Sequence, residues 1–345
     1  MADIQVNVMM FGGRRCGKTS VLAAMQSCFK KAFKSSNLTI TTADDDTMFT
    51  LEEKNREFAA YFSRGGKRTF TPDNNPTSEI SEYQFKIGLG NKRTDNIVVN
   101  FIDYPGESLA DREKIKELQP IMARSHVIIV AIDSPHLMEE TPTDADDSIG
   151  EYNDRRNYCY RIGDWVIKFF SGETDFSRMI LFVPLKCEKY YHAGEMNVLN
   201  KKVHVAYQDA LDFFGKNGRA YEVAITPILT LGGADKGVEF SRFERDDEGY
   251  IKEDPKFGTP QKAIYQFTKR MNGPEPLHCE QPMVYVLAYV LKVLLQRESG
   301  LWDWLKQVFA RFASKEDFLR ELDNIQANMK ISGNGYEIVQ NPLGF

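Results

Sequence analysis

A glycine-rich run near the start of the chain carries residue types that can cradle phosphate. It satisfies the pattern G-x-x-x-x-G-K-[ST] and reads Gly12-Gly13-Arg14-Arg15-Cys16-Gly17-Lys18-Thr19, with Ser20 next. Glycines let backbone N–H groups wrap an oxyanion, a lysine reaches the terminal phosphates, and a threonine hydroxyl is a ligand for Mg²⁺. We therefore predict that Gly12 to Ser20 binds a nucleoside triphosphate, with Thr19 as a metal ligand.

The elements on either side of this run are those that the chemistry requires. The apolar residues 4–11 predict a strand, and the periodic apolar positions between Lys18 and Lys34 predict a helix. A loop between a strand and a helix offers the phosphate its N–H groups and the positive end of the helix dipole. A chance glycine-rich turn is the alternative, and this context favours phosphate binding.

A second motif lies downstream, at the end of another strongly apolar run. Residues 97–102 lead into Asp103-Tyr104-Pro105-Gly106-Glu107, which contains the pattern D-x-x-G. An aspartate at the end of a buried strand can hold magnesium through water, and the glycine amide can sense the γ-phosphate. Asp103 is thus predicted to serve the metal, and Gly106 the nucleotide. An ordinary Asp-Tyr-Pro-Gly turn is the alternative.

With these motifs in this order, the chain resembles the translation-factor-like and Ras-like GTPases (the TRAFAC superfamily) over residues 4–232 and 281–297. The resemblance implies a switch threonine that closes on Mg²⁺, shortly before the hairpin that precedes D-x-x-G. Thr77 has that position, as a metal and catalytic residue, and Thr71 is the second choice. A solvated loop threonine is the alternative. The overall likeness extends to bacterial GTPases of multi-component operons, including those proposed for antiphage or conflict systems.

The resemblance also implies a base-reading motif, [NT]-K-x-D, after the next-but-one strand. Leu185-Lys186-Cys187-Glu188 stands there, so Lys186 is expected to stack on the base and Glu188 to accept hydrogen bonds from guanine. Leu185 departs from the Asn or Thr of the family, and an ordinary strand end is the alternative. The last base-contacting loop of the family corresponds to residues 230–233, where Leu231 is expected to contact the base through its backbone.

Two further positions bear on hydrolysis. Glu107 occupies the place of the water-orienting glutamine of Ras-like enzymes, and its carboxylate would face an anionic phosphate unless it is protonated or paired. Arg15 stands where the guanylate-binding proteins carry an arginine that they use in cis. We expect Arg15, together with Arg14, to place positive charge on the transferring phosphoryl group. Alternatively, both arginines face solvent or pair with an acidic neighbour.

The alternation of strand and helix patterns predicts an α/β protein. We expect a three-layer P-loop NTPase fold with a mostly parallel sheet and one antiparallel edge strand, followed by a C-terminal helical extension. The predicted GTPase domain covers 1–298, with a helical insertion at about 37–78 and a hairpin or lid insertion at about 233–280. Residues 299–345 are expected to form the helical extension and tail.

The composition sets the broad class of the protein. The 345 residues are 42% apolar and carry a net charge of −5, which argues against a general nucleic-acid binder. The five cysteines are scattered, without Cys-x-x-Cys, which is typical of a reducing compartment. No signal peptide and no membrane span are expected, so we expect a cytoplasmic protein.

The expected function is that of a molecular switch that binds and hydrolyses GTP. Its expected cofactors are GTP or GDP and Mg²⁺, and its expected partner is another protein or a second copy of the chain. An ATPase or kinase with the same phosphate loop is an alternative enzyme. A nucleotide-bound scaffold that does not hydrolyse is the alternative from another class.

Overall fold

The computed structural model describes residues 4–32, 38–62, 69–70, 79–89, 97–111, 114–139, 156–171, 178–218, 221–233, 237–254, 259–260, 262–289 and 335–341. The strands are β1 (Ile4–Phe11), β2 (Leu38–Thr42), β3 (Thr69–Phe70), β4 (Ser81–Leu89), β5 (Ile97–Asp103), β6 (Val127–Asp133), β7 (Arg178–Leu185), β8 (Tyr221–Ile225), β9 (Val238–Phe243), β10 (Glu253–Asp254), β11 (Thr259–Pro260), β12 (Ala263–Phe267) and β13 (Glu337–Gln340). The helices are α1 (Lys18–Ala32), α2 (Asp45–Phe62), α3 (Lys114–Arg124), α4 (Ser134–Met138), α5 (Cys159–Phe170), α6 (Glu188–Ala193), α7 (Met196–Ala206), α8 (Gln208–Lys216) and α9 (Gln281–Tyr289), with a 3₁₀ turn at Gly106–Ala110.

Eight strands form one sheet in the order β13-β8-β7-β6-β1-β5-β4-β2. The central strands are parallel, because β1 pairs in parallel with β5 and β6, β6 with β7, and β7 with β8. Strand β4 is antiparallel to β5, as its predicted hairpin requires, and β13 is antiparallel to β8 at one edge. The predicted α/β P-loop fold with a mostly parallel sheet is confirmed.

Helices on both faces explain why the central strands read as unbroken apolar runs. Every residue of β6 and β7 is buried, as expected when both faces of a parallel sheet are covered. Alternate residues of β1 enter opposite cores: Val8 and Met10 pack in one cluster, and Met9 and Phe11 in the other. The sheet is therefore the middle layer of three.

This topology brings the carboxyl ends of β1, β5, β6 and β7 to one edge of the sheet. Asp103 ends β5 and pairs in register with Met10, just before the glycine-rich loop. Asp133 ends β6 and pairs in register with Leu185 at the end of β7. Ligands of open α/β sheets bind outside this edge, where the strand order reverses. All the sequence-predicted motifs that the structure describes lie there.

A second, three-stranded sheet has the order β3-β12-β9. It joins the segment before Thr77 to the inserted residues after 233, because Phe70 of β3 pairs with Tyr265 of β12. The Phe70 ring lies 4.8 Å from that of Phe267, which lies 5.2 Å from that of Phe62 in α2. These aromatic contacts seat the small sheet on α2.

Several elements differ from the sequence expectation. The apolar periodicity predicts one helix over 198–214, but the structure has two helices that meet at Tyr207. It also predicts a continuous helix over 155–170, but the helix breaks at Tyr158, which has a left-handed φ of 52°, before α5 begins at Cys159. Residues 38–42, within the segment expected to be helical, form strand β2. The helices expected in 301–330 lie outside the described residues. None of the helices in the described ranges combines the length and apolar character that a membrane crossing requires.

Candidate nucleotide site

The glycine-rich loop connects β1 to α1, as predicted. Gly12 and Gly17 have φ angles of 149° and 111°, which only glycine adopts without strain. The Lys18 side chain is buried and lies across the loop, donating hydrogen bonds to the carbonyl oxygens of Gly12 at 3.1 Å and Gly13 at 3.4 Å. Backbone carbonyl groups of the loop thus hold its ammonium in place. Cys16 of the loop and Ser20 of α1 are buried.

Two glycines allow neighbouring backbone to press directly against this loop. A Cβ at Gly106 would overlap the Arg14 nitrogen and the Gly13 carbonyl carbon, and would lie 2.8 Å from the Gly12 oxygen. A Cβ at Gly13 would overlap the carbonyl oxygen of Arg156. The D-x-x-G glycine therefore touches the phosphate loop itself. A displacement of the phosphate loop would therefore require Gly106 to move, and a displacement of Gly106 would require the loop to move.

The predicted metal residues come together although they are far apart in the chain. The Thr19 hydroxyl donates a hydrogen bond of 2.7 Å to Asp103 Oδ2, and Lys18 Nζ lies 3.7 Å from Asp103 Oδ1. Asp103 is fully buried. A hydroxyl and a carboxylate are the hard oxygen donors that Mg²⁺ prefers, with phosphate and water completing its shell. These residues therefore fit a nucleotide-bound magnesium ion, which would neutralise phosphate charge when bound.

Tyr83 is a neighbour of this pair that the sequence did not indicate. It lies on β4, is buried, and burial together with the adjacent Asp103 carboxylate raises its pKa to about 12. Its hydroxyl also interacts with Thr19. In the sequence, the one indication of Tyr83 is its inward-facing position on the predicted hairpin. Within the described ranges, no group of three or more His, Cys, Asp and Glu side chains forms a separate metal site.

Residues 185–188, which are predicted to read the base, also contact the phosphate loop. Lys186 Nζ donates to the carbonyl oxygen of Arg15 at 2.8 Å and to Asp133 Oδ2 at 2.7 Å. The Leu185 side chain packs 3.6 Å from the position of a Cβ on Gly17. The departure at Leu185 thus places an apolar contact under the loop, and Lys186 ties the two segments together.

Glu188 organises the last loop of the site. Its Oε1 accepts hydrogen bonds from the backbone N–H groups of Thr230 at 3.1 Å and Leu231 at 3.2 Å. Burial raises the pKa of this carboxyl, and the loop N–H groups partly oppose that shift. Lys186 thus contacts the phosphate loop, and Glu188 holds the loop that contains Leu231. The contacts predicted between these three residues and a base stay predictions.

Other predicted residues are only partly described. Arg14 and Arg15 are half-buried in the loop, and Arg15 has a left-handed φ of 59°. Glu107 lies in the 3₁₀ turn, but its side chain is outside the described part of the chain. Thr77 also lies outside the described residues, as does Thr71. The roles predicted for Glu107 and Thr77 stay predictions.

The strand order, the phosphate loop and the Thr19–Asp103 contact are those of a P-loop nucleotide-binding fold. Residues 7–157 match the model of a family described as Double-GTPase 2, a range that includes both the phosphate loop and D-x-x-G. No curated protein matches the chain.

The chain is also similar to solved structures, among them the Ski7 GTPase-like domain of S. cerevisiae, bound to GDP and inorganic phosphate. That match has a TM-score of 0.32 and 11% sequence identity, and covers 66% of this chain. The chain spans 43% of the length of that structure.

Proposed function

We propose that this chain is a Mg²⁺-dependent switch that binds and hydrolyses GTP and thereby controls a protein partner. One observation carries the proposal: the Thr19 hydroxyl and the Asp103 carboxylate meet at 2.7 Å beside Lys18. A phosphate loop alone supports triphosphate binding. Its direct contact with the D-x-x-G segment supports a loop that senses the γ-phosphate.

The contacts of Lys186 and Glu188 support guanine as the base that the site binds. Lys186 is fixed against the Arg15 carbonyl, and the buried Glu188 carboxylate holds the backbone of Thr230 and Leu231. A carboxylate in this place accepts from the N1 and N2 hydrogens of guanine. Adenine lacks that pair of donors, and xanthine has a carbonyl in place of the 2-amino group. Sites built on such hydrogen bonds reject analogues that leave them unpaired.

Titration with fluorescent GTP, ATP and xanthine triphosphate tests this proposal. We expect GTP to bind at least about a hundredfold more tightly than the other two. Glu188→Gln is expected to lower GTP affinity about tenfold or more, because a charged hydrogen-bond acceptor is lost, while ATP affinity changes little. Glu195→Gln, an exposed position in the same part of the chain, is the matched control. Equal losses for GTP and ATP would mean that Glu188 only shapes the loop.

Arg15 is the residue through which we expect the phosphate loop to promote hydrolysis. Lys186 holds its carbonyl, so its side chain starts from a fixed backbone position on the loop. Arg15→Ala is expected to lower turnover about a thousandfold, the scale of an arginine finger, with nucleotide affinity nearly unchanged. Single-turnover phosphate release measures this, with the exposed Arg242→Ala as control. Turnover equal to that of the wild type would exclude Arg15 from catalysis.

The small sheet β3-β12-β9 is the candidate surface for binding the protein partner. Strand β3 precedes Thr77 in the chain, and it pairs with β12 of the inserted residues. A Cβ at Gly232 would lie 2.9 Å from the Val238 carbonyl oxygen of β9 and 3.1 Å from Glu188 Cγ. The β3-β12-β9 sheet thus contacts the loop after β8 that Glu188 holds. We place the partner-binding surface on this sheet.

Two alternatives have specific support. Leu185 replaces the family's Asn or Thr, which favours an ATPase, and tighter binding of ATP than of GTP would establish it. Glu107 replaces the family's glutamine, which favours a nucleotide-bound scaffold that does not hydrolyse. Steady phosphate release that disappears in a Lys18→Ala variant would exclude the scaffold.

A further inference from the structure

The carboxylate of Asp133 lies at the centre of a buried group of charges behind the phosphate loop. Asp133 is fully buried, and its Oδ2 accepts hydrogen bonds from Lys186 at 2.7 Å and from the Arg156 guanidinium at 3.0 and 3.2 Å. His136 Nδ1 lies 3.3 Å from the other oxygen, Oδ1. The Lys186, His136 and Arg156 side chains hold the pKa of this carboxyl well below its usual range, despite the opposing effect of burial. It is therefore a fixed anion.

The first cation, Lys186, connects this anion to the phosphate loop. The same ammonium that contacts Asp133 donates to the Arg15 carbonyl at 2.8 Å. Arg15 and Lys186 have φ angles of 59° and 56°, a region that costs energy for residues other than glycine. Such conformations persist where surrounding contacts hold them. The Lys186 ammonium, which contacts both Asp133 and the Arg15 carbonyl, connects these two positions.

The second cation, Arg156, connects the anion to the segment that covers the loop. Its carbonyl oxygen presses against Gly13 so closely that no Cβ fits between them. Asn157 strengthens this attachment, since its Oδ1 accepts from the Asp133 N–H at 2.8 Å and its Nδ2 donates to the Asp133 carbonyl at 3.3 Å. Residues 156–158 thus form a wall against the phosphate loop, anchored at Asp133.

We propose that Asp133 is a positioning residue for the nucleotide: by holding Lys186 and Arg156, it fixes the Arg15 carbonyl and the wall at 156–158 around the phosphate loop. The inference rests on the proposed nucleotide binding and extends it to a residue behind the site. Stability alone is a poor explanation for the arrangement, because buried ion pairs are often no better for folding than apolar groups of the same size. The charges here fix the positions of the Lys186 and Arg156 side chains.

The Asp133→Asn variant tests the proposal through the pH dependence of nucleotide binding. Lys186 is faced by Asp133, Arg156 and Cys16, and His136 lies on the far side of the carboxylate. In the variant the anion is gone, so burial and Arg156 lower the pKa of Lys186 further. Its donated bond to Arg15 exists below that pKa and is lost as the pH rises through it. GTP affinity is therefore expected to fall by about tenfold or more as the pH rises, and to begin falling at a lower pH in the variant than in the wild type.

Three further proteins make the outcome decisive. Asp133→Asn combined with Lys186→Met has no ammonium to titrate, so its weakened affinity is expected to be level with pH. Arg156→Gln keeps the pair of Asp133 and Lys186, so it is expected to weaken GTP binding equally at every pH. This variant tests the anchoring of residues 156–158 even if Asp133→Asn folds poorly. Glu337→Gln removes the half-exposed carboxylate that lies 2.9 Å from His204 Nε2, and should behave as the wild type.

Two results would overturn the proposal. Wild-type affinity at every pH in Asp133→Asn, or in Arg156→Gln, would show that the fixed anion does not position the loop. A wild-type protein that binds no nucleotide at all would overturn both this proposal and the proposed function. Wild-type binding with unaffected variants would overturn this proposal alone.

Discussion

Replacement of Lys18 with alanine is expected to lower nucleotide affinity about a hundredfold or more and to reduce phosphate release to background. The reason is that the buried ammonium lies between the Gly12 and Gly13 carbonyls and the Asp103 carboxylate, where the terminal phosphates of a nucleotide are expected. A charge-assisted contact to phosphate is roughly twice as strong as a neutral one. No other described ammonium occupies this position on the loop.

The measurement is a titration with fluorescent GTP, followed by a phosphate-release assay. Lys201→Ala, which removes an exposed ammonium from α7, is the matched control. The thermal midpoint without nucleotide should show that Lys18→Ala remains folded, and added GTP should raise the midpoint of the wild type only. Equal GTP-induced shifts in both proteins would contradict the account of the loop.

Replacement of Gly106 with alanine is expected to have the second large effect. The new Cβ would overlap backbone atoms of Arg14 and Gly13, and backbone cannot turn aside as a flexible side chain can. We expect a loss of about 2 kcal/mol or more in the free energy of unfolding, the range of overpacked sites. Because the displaced atoms belong to the phosphate loop, GTP affinity should fall as well.

Gly215→Ala is the control for that substitution. Gly215 lies in α8, and a Cβ there would meet no heavy atom within 4 Å. Alanine in a helix is expected to be neutral or to stabilise by up to about 1 kcal/mol. Denaturant unfolding and GTP titration of the two variants give the comparison. A Gly106→Ala protein as stable as the wild type, with unchanged GTP affinity, would mean that the two loops do not press together.

The central fold could be predicted from the sequence because its signals are local. Strands such as β6 are unbroken apolar runs, and the phosphate loop has a fixed pattern between a strand and a helix. Thr19 and Asp103 belong to two motifs that a parallel sheet must bring to the same edge, and the structure places their oxygens 2.7 Å apart. Their role as metal ligands stays a prediction.

Other elements were not predicted. Strand β2 reads Leu-Thr-Ile-Thr-Thr, an alternating run of β-branched residues that does indicate a strand, but it lies in a segment expected to be helical. Strand β13 is a short segment of the tail, and long-range pairing with β8 defines it. The break at Tyr207 was hidden because the apolar period continues across it. For β13 and Tyr207, tertiary contacts decide the structure, and one sequence alone does not display them.

Asp133 shows the same limit within the site. From the sequence it reads as the first residue of an acidic loop, because Glu139 and further acidic residues follow it. Its partners Arg156 and Lys186 are 23 and 53 residues away in the chain. The register of β6 and β7, which aligns Asp133 with Leu185, brings Lys186 to it, and the hydrogen bonds of Asn157 to the Asp133 backbone bring Arg156. Its position at the end of a buried strand, like that of Asp103, is the one signal that could have indicated it.

The most direct test of the central claim is calorimetric titration of the wild-type protein with GTP and with ATP, each with Mg²⁺ and after its removal by EDTA. The Thr19 and Asp103 oxygens are expected to bind the metal together with the phosphates, so GTP should bind more tightly with Mg²⁺ than without it. Lys186 and Glu188 should make GTP at least about a hundredfold tighter than ATP. Equal affinity for the two nucleotides, or GTP binding that is indifferent to Mg²⁺, would contradict the assignment as a magnesium-dependent GTP switch.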